Sequence, residues 1–156
     1  MNKQQLHSQI LDALELTRNA ALNAAQQAHE TATHVETVAE NKYDTFGLEA
    51  SYLAEGQSKR LMQTETDKQR FSLLPVTVFN EGMQISFGAL VLLTDNEGLQ
   101  KRVFLSPVSG GLTIKFEGET VLLVTGDAPM GKALLNAYEG DEFSVGEKKY
   151  VIEGIR

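Results

Sequence analysis

The residues of this 156-residue chain best suited to chemistry are carboxylates gathered in one stretch. Between Arg18 and Lys59 the only basic residue is Lys42, whereas Glu30, Glu36, Glu40, Asp44, Glu49 and Glu55 all fall there. Carboxylates are ionised at neutral pH without tuning and are the hard oxygen ligands that Mg²⁺ accepts. A cluster of them with few counter-charges attracts cations or a basic cleft on a partner. The same residues have a plainer reading: they solvate the outer faces of helices, and Asp44 caps one. A helical segment built for stability alone would interleave signs at i,i+4, which this one does not do.

Other candidate chemistry is thin. The chain has no cysteine, which excludes disulfides, thiol nucleophiles and Cys-ligated zinc. Its histidines are His7, His29 and His34, and a five-residue spacing puts the last two about 140° apart around a helix, unlike i,i+4 ligands. Ser106-Pro107 and Ser109-Gly110-Gly111 place serines near glycines without a G-x-S-x-G elbow. Gly126 to Lys132 lacks the spacing of a phosphate loop and continues with Ala133. No set of residues forms a self-sufficient active site.

The elements that must position the carboxylates are legible from composition. Residues 1–74 hold no proline and two glycines, whereas residues 75–156 hold all three prolines and the other eleven glycines. The chain therefore divides near Pro75 into an antiparallel coiled-coil hairpin over 1–74 and a globular α+β domain over 75–156. In the first part Leu6, Ile10, Leu14, Thr17, Ala21, Ala24, Ala28, Thr31, Val35 and Val38 recur at the three-and-four spacing of a coiled-coil seam. This predicts a helix from Lys3 to Asn41, roughly 58 Å at 1.5 Å per residue, too long to stand without a partner. Asp44 to Gly47 reads as the turn, and a second helix follows, with Leu48, Tyr52, Glu55 or Gly56, Lys59 and Met62 on its seam. Beyond Pro75 the period falls to two, predicting strands over 83–93, 101–105, 112–116, 121–125, 143–145 and 150–155, with one helix over 131–138.

The balance of 14 basic against 21 acidic residues, a net charge of −7, argues against binding a phosphate backbone. No apolar run is long enough to span a membrane, and the first residues lack the apolar core of a signal peptide. The expectation is a cytoplasmic protein. Its oligomeric state stays open, because an alanine-rich hairpin also pairs with copies of itself.

Two segments resemble the Gre family of bacterial transcript-cleavage factors. Residues 128–143, beginning Ala128-Pro129-Met130-Gly131-Lys132-Ala133-Leu134-Leu135, are similar to that family's S-P-[IL]-G-x-A-L-[LI]-G-x-x-x-G-D, with Ala for Ser, Met for Leu and Asn136 for Gly. Residues 40–54, Glu40-Asn41-Lys42-Tyr43-Asp44-Thr45-Phe46-Gly47-Leu48-Glu49-Ala50-Ser51-Tyr52-Leu53-Ala54, are similar to E-N-K-Y-D-T-R-G-L-E-A-S-Y-L-A of a small Gre-like branch in Gram-negative bacteria. The resemblance implies an FKBP-like fold for the second part and bacterial RNA polymerase as the partner. It also implies that the hairpin enters the polymerase secondary channel and that tip carboxylates help hold an Mg²⁺ shared with the polymerase, so that a backtracked transcript is cleaved. Such a factor is not itself an enzyme and needs no cofactor of its own. Carried onto this sequence, the catalytic carboxylates are Asp44, which shares the metal, and Glu49. Glu40, Phe46, Asp127 and Pro129 are the polymerase-facing residues. The main family reads D-L-S-E-N-A-E-Y at the tip; aligned on Ala50-Ser51-Tyr52, Leu48 occupies the column of its Glu and Thr45 that of its Asp. Phe46 replaces the Arg of the closer branch. A secondary-channel regulator without cleavage activity is the alternative.

Overall fold

A computed structural model describes residues 2–34 and 45–156. The chain divides into two compact units, one formed by Met1–Leu11 with Arg70–Arg156, the other by Asp12–Gln69. Two long helices, α1 (Lys3–Thr33) and α2 (Thr45–Ser72), each contribute to both units, and the remaining elements belong to the first.

In the first unit six strands form one sheet: β1 (Leu90–Asp95), β2 (Gln100–Ser106), β3 (Thr113–Phe116), β4 (Glu119–Thr125), β5 (Glu142–Val145) and β6 (Lys148–Ile155), in the order β3-β4-β2-β1-β6-β5. Every pair is antiparallel except β2 with β4. The exception follows from the route: the chain leaves β2, lays β3 at the edge, and returns through a two-residue turn to fill the slot between. That turn is Glu117-Gly118, with φ of 50° and 83°, the pair of positive values that a tight hairpin of the right twist requires. The β1–β2 turn is held by Asp95, whose Oδ1 accepts the N–H groups of Glu97 at 3.0 Å and Leu99 at 2.9 Å while Lys148 donates to Oδ2 at 3.1 Å. These bonds, the Leu99 N–H foremost, hold its carboxyl below the ordinary range.

The sheet is apolar on both faces. On one, Val91, Leu93, Val103, Leu105, Val124 and Ile152 pack with Phe79, Ile85 and Leu134. On the other, alternation along β2 turns Phe104 outward to meet Phe71, ring centroids 5.9 Å apart. Phe71 itself tilts over His7 at 4.6 Å, and Leu6, Ile10 and Phe71 have no exposed surface.

Boundaries differ from those read in the sequence: α1, expected to reach Asn41, ends at Thr33, residues 35–41 lying outside the described ones, and the sheet-bearing unit departs at two places. The strand expected from Met83 starts at Leu90, because Gly88 takes a φ of +91° and breaks the extended run. The short helix, α3, spans Pro129–Leu134 rather than 131–138. Proline is its first residue, as its fixed φ favours, and Asn136 at φ 65° ends it. Beyond the helix Asn136 N–H donates to Ile85 O at 2.9 Å, and Ile85 N–H to Ala137 O at 2.8 Å.

Lys3 ties the start of α1 into this unit. Its amine donates to Thr77 O and, at 2.8 Å, to Arg156 O, and lies 4.2 Å from the centre of the Phe79 ring. Burial pushes its pKa down to about 8 from 10.5. The unfolded chain thus keeps a proton that the folded one releases from about pH 8 upward, so this group adds stability as pH rises toward 10.5 and loses it as pH falls through 8. In urea titrations between about pH 7 and pH 10, the midpoint of the wild type is expected to rise relative to that of Lys3→Met. A constant gap between the two proteins would show that the lysine is not the titrating group.

Candidate functional site

The second unit is a pair of antiparallel helical arms. Arg18 reaches Glu65 at 3.2 Å, and Lys68 pairs with Glu15, which fixes both direction and register. On α1 the inward positions are Leu14, Ala21, Ala25 and Ala28, all buried. Thr17, expected on the seam, is exposed, and its hydroxyl donates to Ala13 O at 2.9 Å; the partly buried Arg18 takes the inward position instead. Ala25, not Ala24, is the fully buried residue of the next turn.

On α2 the seam differs more. Gly47 and Ala50 are buried, and Ala54, Gln57, Leu61 and Thr64 are half-buried, whereas Leu48, Tyr52 and Met62 stand 50–67% exposed. The inward face is thus rotated from the expected one and is made of small and polar residues. Gly47 is correspondingly not a turn residue: it lies in the first turn of α2, and the Ser51 hydroxyl donates to its carbonyl at 3.0 Å.

Small residues on both arms leave space between them. A cavity of about 480 Å³ opens there, lined by Ala24, Gln27, Ala28 and Thr31 of α1 and by Phe46, Glu49, Ala50, Leu53 and Gln57 of α2. Phe46 and Leu53 remain 60% and 57% exposed at its edge. The Gln57 Oε1 is buried without a hydrogen-bond partner, which marks this part of the seam as loosely packed. All the described ion pairs of this unit involve Arg18, Lys59 or Lys68. Residues 19–34 and 45–58 contain no Lys or Arg, so Glu30 and Glu49 have no ion-pair partner among the described residues.

Of the residues singled out in the sequence, Phe46 and Glu49 come together at this cavity. Glu40 and Asp44 lie outside the described residues. Asp127 and Pro129 belong to the sheet-bearing unit, where both are exposed. The Thr125 hydroxyl, the residue's own backbone N–H and the Lys132 charge hold the Asp127 carboxyl below its usual range, while Pro129 opens α3. Leu53 and Gln57 were not read as site residues. Their spacing of seven and eleven from Phe46 carries the signal, because it keeps them on one face of a helix.

The remaining candidates have structural occupations. The Ser106 hydroxyl is buried, donating to Val108 O at 2.6 Å and accepting from Val108 N–H. His7 Nε2 lies 3.1 Å from Leu74 O, and burial lowers its pKa. No group of three metal-ligating side chains occurs among the described residues, and no helix there is long and apolar enough to cross a membrane.

No family model and no curated protein matches this chain. Several solved structures are similar to it. A crystal structure of GreA factor homolog 1 (Gfh1) of Thermus thermophilus is 19% identical, with 94% of each chain covered and a TM-score of 0.38. A second structure of the transcription factor Gfh1 is 18% identical over 92% of this chain and 93% of that one, with a TM-score of 0.36. Gfh1 of Thermus aquaticus is 20% identical over 92% of each chain, with a TM-score of 0.35.

Proposed function

We propose that this protein is a Gre-like transcription elongation factor that binds bacterial RNA polymerase through its secondary channel and stimulates cleavage of backtracked transcripts. The observation that carries the reading is the run Glu40–Ala54, similar to a Gre-like finger and set in a stretch almost stripped of basic residues. Glu49 fits a shared-metal role: it is exposed, and no described cation neutralises it. One or two carboxylates do not hold Mg²⁺ alone, so the remaining ligands come from the polymerase. Mg²⁺ bound there would supply an activated water and stabilise the leaving oxygen. Asp44 is the first carboxylate assigned to hold that ion and Glu49 the second, with Glu40, Phe46, Asp127 and Pro129 facing the polymerase. The protein has no active site of its own, and on this reading it is cytoplasmic and contacts neither membrane nor a specific nucleic-acid sequence.

The test is transcript cleavage in stalled, backtracked elongation complexes of the cognate polymerase. The wild type is expected to speed release of short 3′ RNA fragments, and Asp44→Ala to remove on the order of a hundredfold of that acceleration while still binding. Unchanged cleavage by Asp44→Ala would exclude its metal role. A second reading, a channel-occupying regulator without cleavage, is favoured by Leu48, which is half exposed where the main family carries Glu. Its signature is competition with a genuine Gre factor in the absence of any cleavage.

A further inference from the structure

The mechanism above uses Glu49 and Phe46 at the edge of the groove between the arms, but gives no role to Leu53, Gln57 or the alanine-lined space beside them. We propose that the groove is a docking site for a basic segment of the polymerase, one that presents an arginine or lysine beside an apolar side chain. The proposal rests on the function put forward above and adds a surface to it.

Three observations define the occupant. The cavity is wide enough, at about 480 Å³, to admit side chains of a partner. Its edge is apolar, since Phe46 and Leu53 stay more than half exposed although both lie against it. A pair of large exposed apolar residues at a concave site is the mark of an interaction surface rather than of a solvated helix face. Its field is negative throughout: residues 19–34 and 45–58 carry Glu30, Glu49 and Glu55 and no Lys or Arg. Of the three, only Glu55 is neutralised among the described residues, by Lys59 at 2.7 Å.

An acidic partner would be repelled from this surface, and a purely apolar one would leave Glu49 buried and unpaired at considerable cost. A cationic side chain satisfies both demands. Its aliphatic stem lies along Leu53 and Ala28 while the charged head reaches Glu49, four residues from Leu53 on the same face of α2, which leaves Asp44 as the carboxylate for the shared ion.

The experiment measures affinity of the full-length protein for the cognate core polymerase, comparing wild type with Leu53→Lys, Leu53→Glu and Tyr52→Lys. Leu53 is at the groove; Tyr52, 65% exposed on the same helix, does not line it. Both positions are exposed enough for the variants to fold, which circular dichroism checks. Leu53→Lys is expected to weaken binding by about tenfold or more, beyond both Tyr52→Lys and Leu53→Glu, since only Leu53→Lys sets like charge against the incoming cation. Equal binding by all four proteins overturns the groove while leaving the elongation-factor reading intact. So does a larger loss for Leu53→Glu than for Leu53→Lys, which identifies an acidic occupant, or an equal loss from Tyr52→Lys. Failure of the wild type to bind polymerase at all overturns both readings together.

Discussion

Gly131→Ala is expected to destabilise the sheet-bearing unit by more than about 3 kcal/mol. A Cβ built on Gly131 would lie 1.9 Å from Thr125 O, 2.7 Å from its carbonyl carbon and 3.1 Å from Gly126 Cα. All three atoms are backbone, at the end of β4, so no side chain can rotate away. The helix must lift instead, and it carries Leu134, fully buried in the cluster with Leu105 and Val124. Lifting it would also disturb the approach of Leu135 and Phe87 to Gly126, where a Cβ would already stand at 3.0 Å from both. Urea denaturation measures the effect, and Gly56→Ala supplies the contrast. Gly56 sits within α2 with nothing within 4 Å of its missing side chain, so alanine there should add up to about 1 kcal/mol by helix propensity alone. A Gly131→Ala protein as stable as wild type would show that α3 does not press on β4.

Phe71→Ala should cost roughly 3–5 kcal/mol, the usual range for truncating a buried phenylalanine. The ring is wholly buried and touches Phe104 of β2 on one side and His7 of α1 on the other, so the loss is felt by the sheet and by the start of the chain at once. A second readout separates local from general damage. The His7 pKa is lowered chiefly by burial; water entering the vacated space would relieve that burial and raise the imidazole pKa toward its ordinary value. NMR titration of His7 follows this directly. Phe71→Leu, which keeps most of the volume, is expected to lose much less stability.

How much of this was legible in the sequence depended on whether side-chain polarity tracked packing. In α1 it did so in part: of the positions read as seam, Leu6, Ile10, Leu14, Ala21 and Ala28 are buried, whereas Thr17 and Thr31 are exposed, Ala25 takes the place of Ala24, and Val35 and Val38 lie outside the described residues. In α2 it failed, because the inward face is built of Gly47, Ala50, Ala54, Gln57 and Thr64, while Leu48, Tyr52 and Met62, expected on the seam, stand exposed. A periodicity argument follows the largest apolar residues, and here those sit on the outside. The sheet was legible where turn chemistry was explicit, as at Glu117-Gly118, and misread at Gly88, whose positive φ cannot be seen in an otherwise strand-like run. The motif around Ala128–Leu135 shows a further limit. Gly131 within it answers to close packing against Thr125, so part of what resembles a family signature is a requirement of the fold. Of the candidate site, Phe46 and Glu49 were found through resemblance, whereas Leu53 and Gln57 required knowing which face of α2 turns inward.

The division of the chain into a continuous unit and one assembled from both ends has a consequence for how the molecule is made. Leu6 and Ile10 leave the ribosome well before residues 70–156, which supply the surfaces that bury them. The intervening 12–69 must be synthesised, and its ends brought together, before that core can close. Closing so long a loop is slow unless the loop shortens itself. The two arms do that shortening by forming as helices and pairing through contacts such as Arg18 with Glu65, which delivers Arg70 and Phe71 beside the waiting first turns. The hairpin then serves as the folding guide of the sheet, and a fragment beginning at Pro75 would be born with the Phe104 face of its sheet uncovered and prone to aggregate.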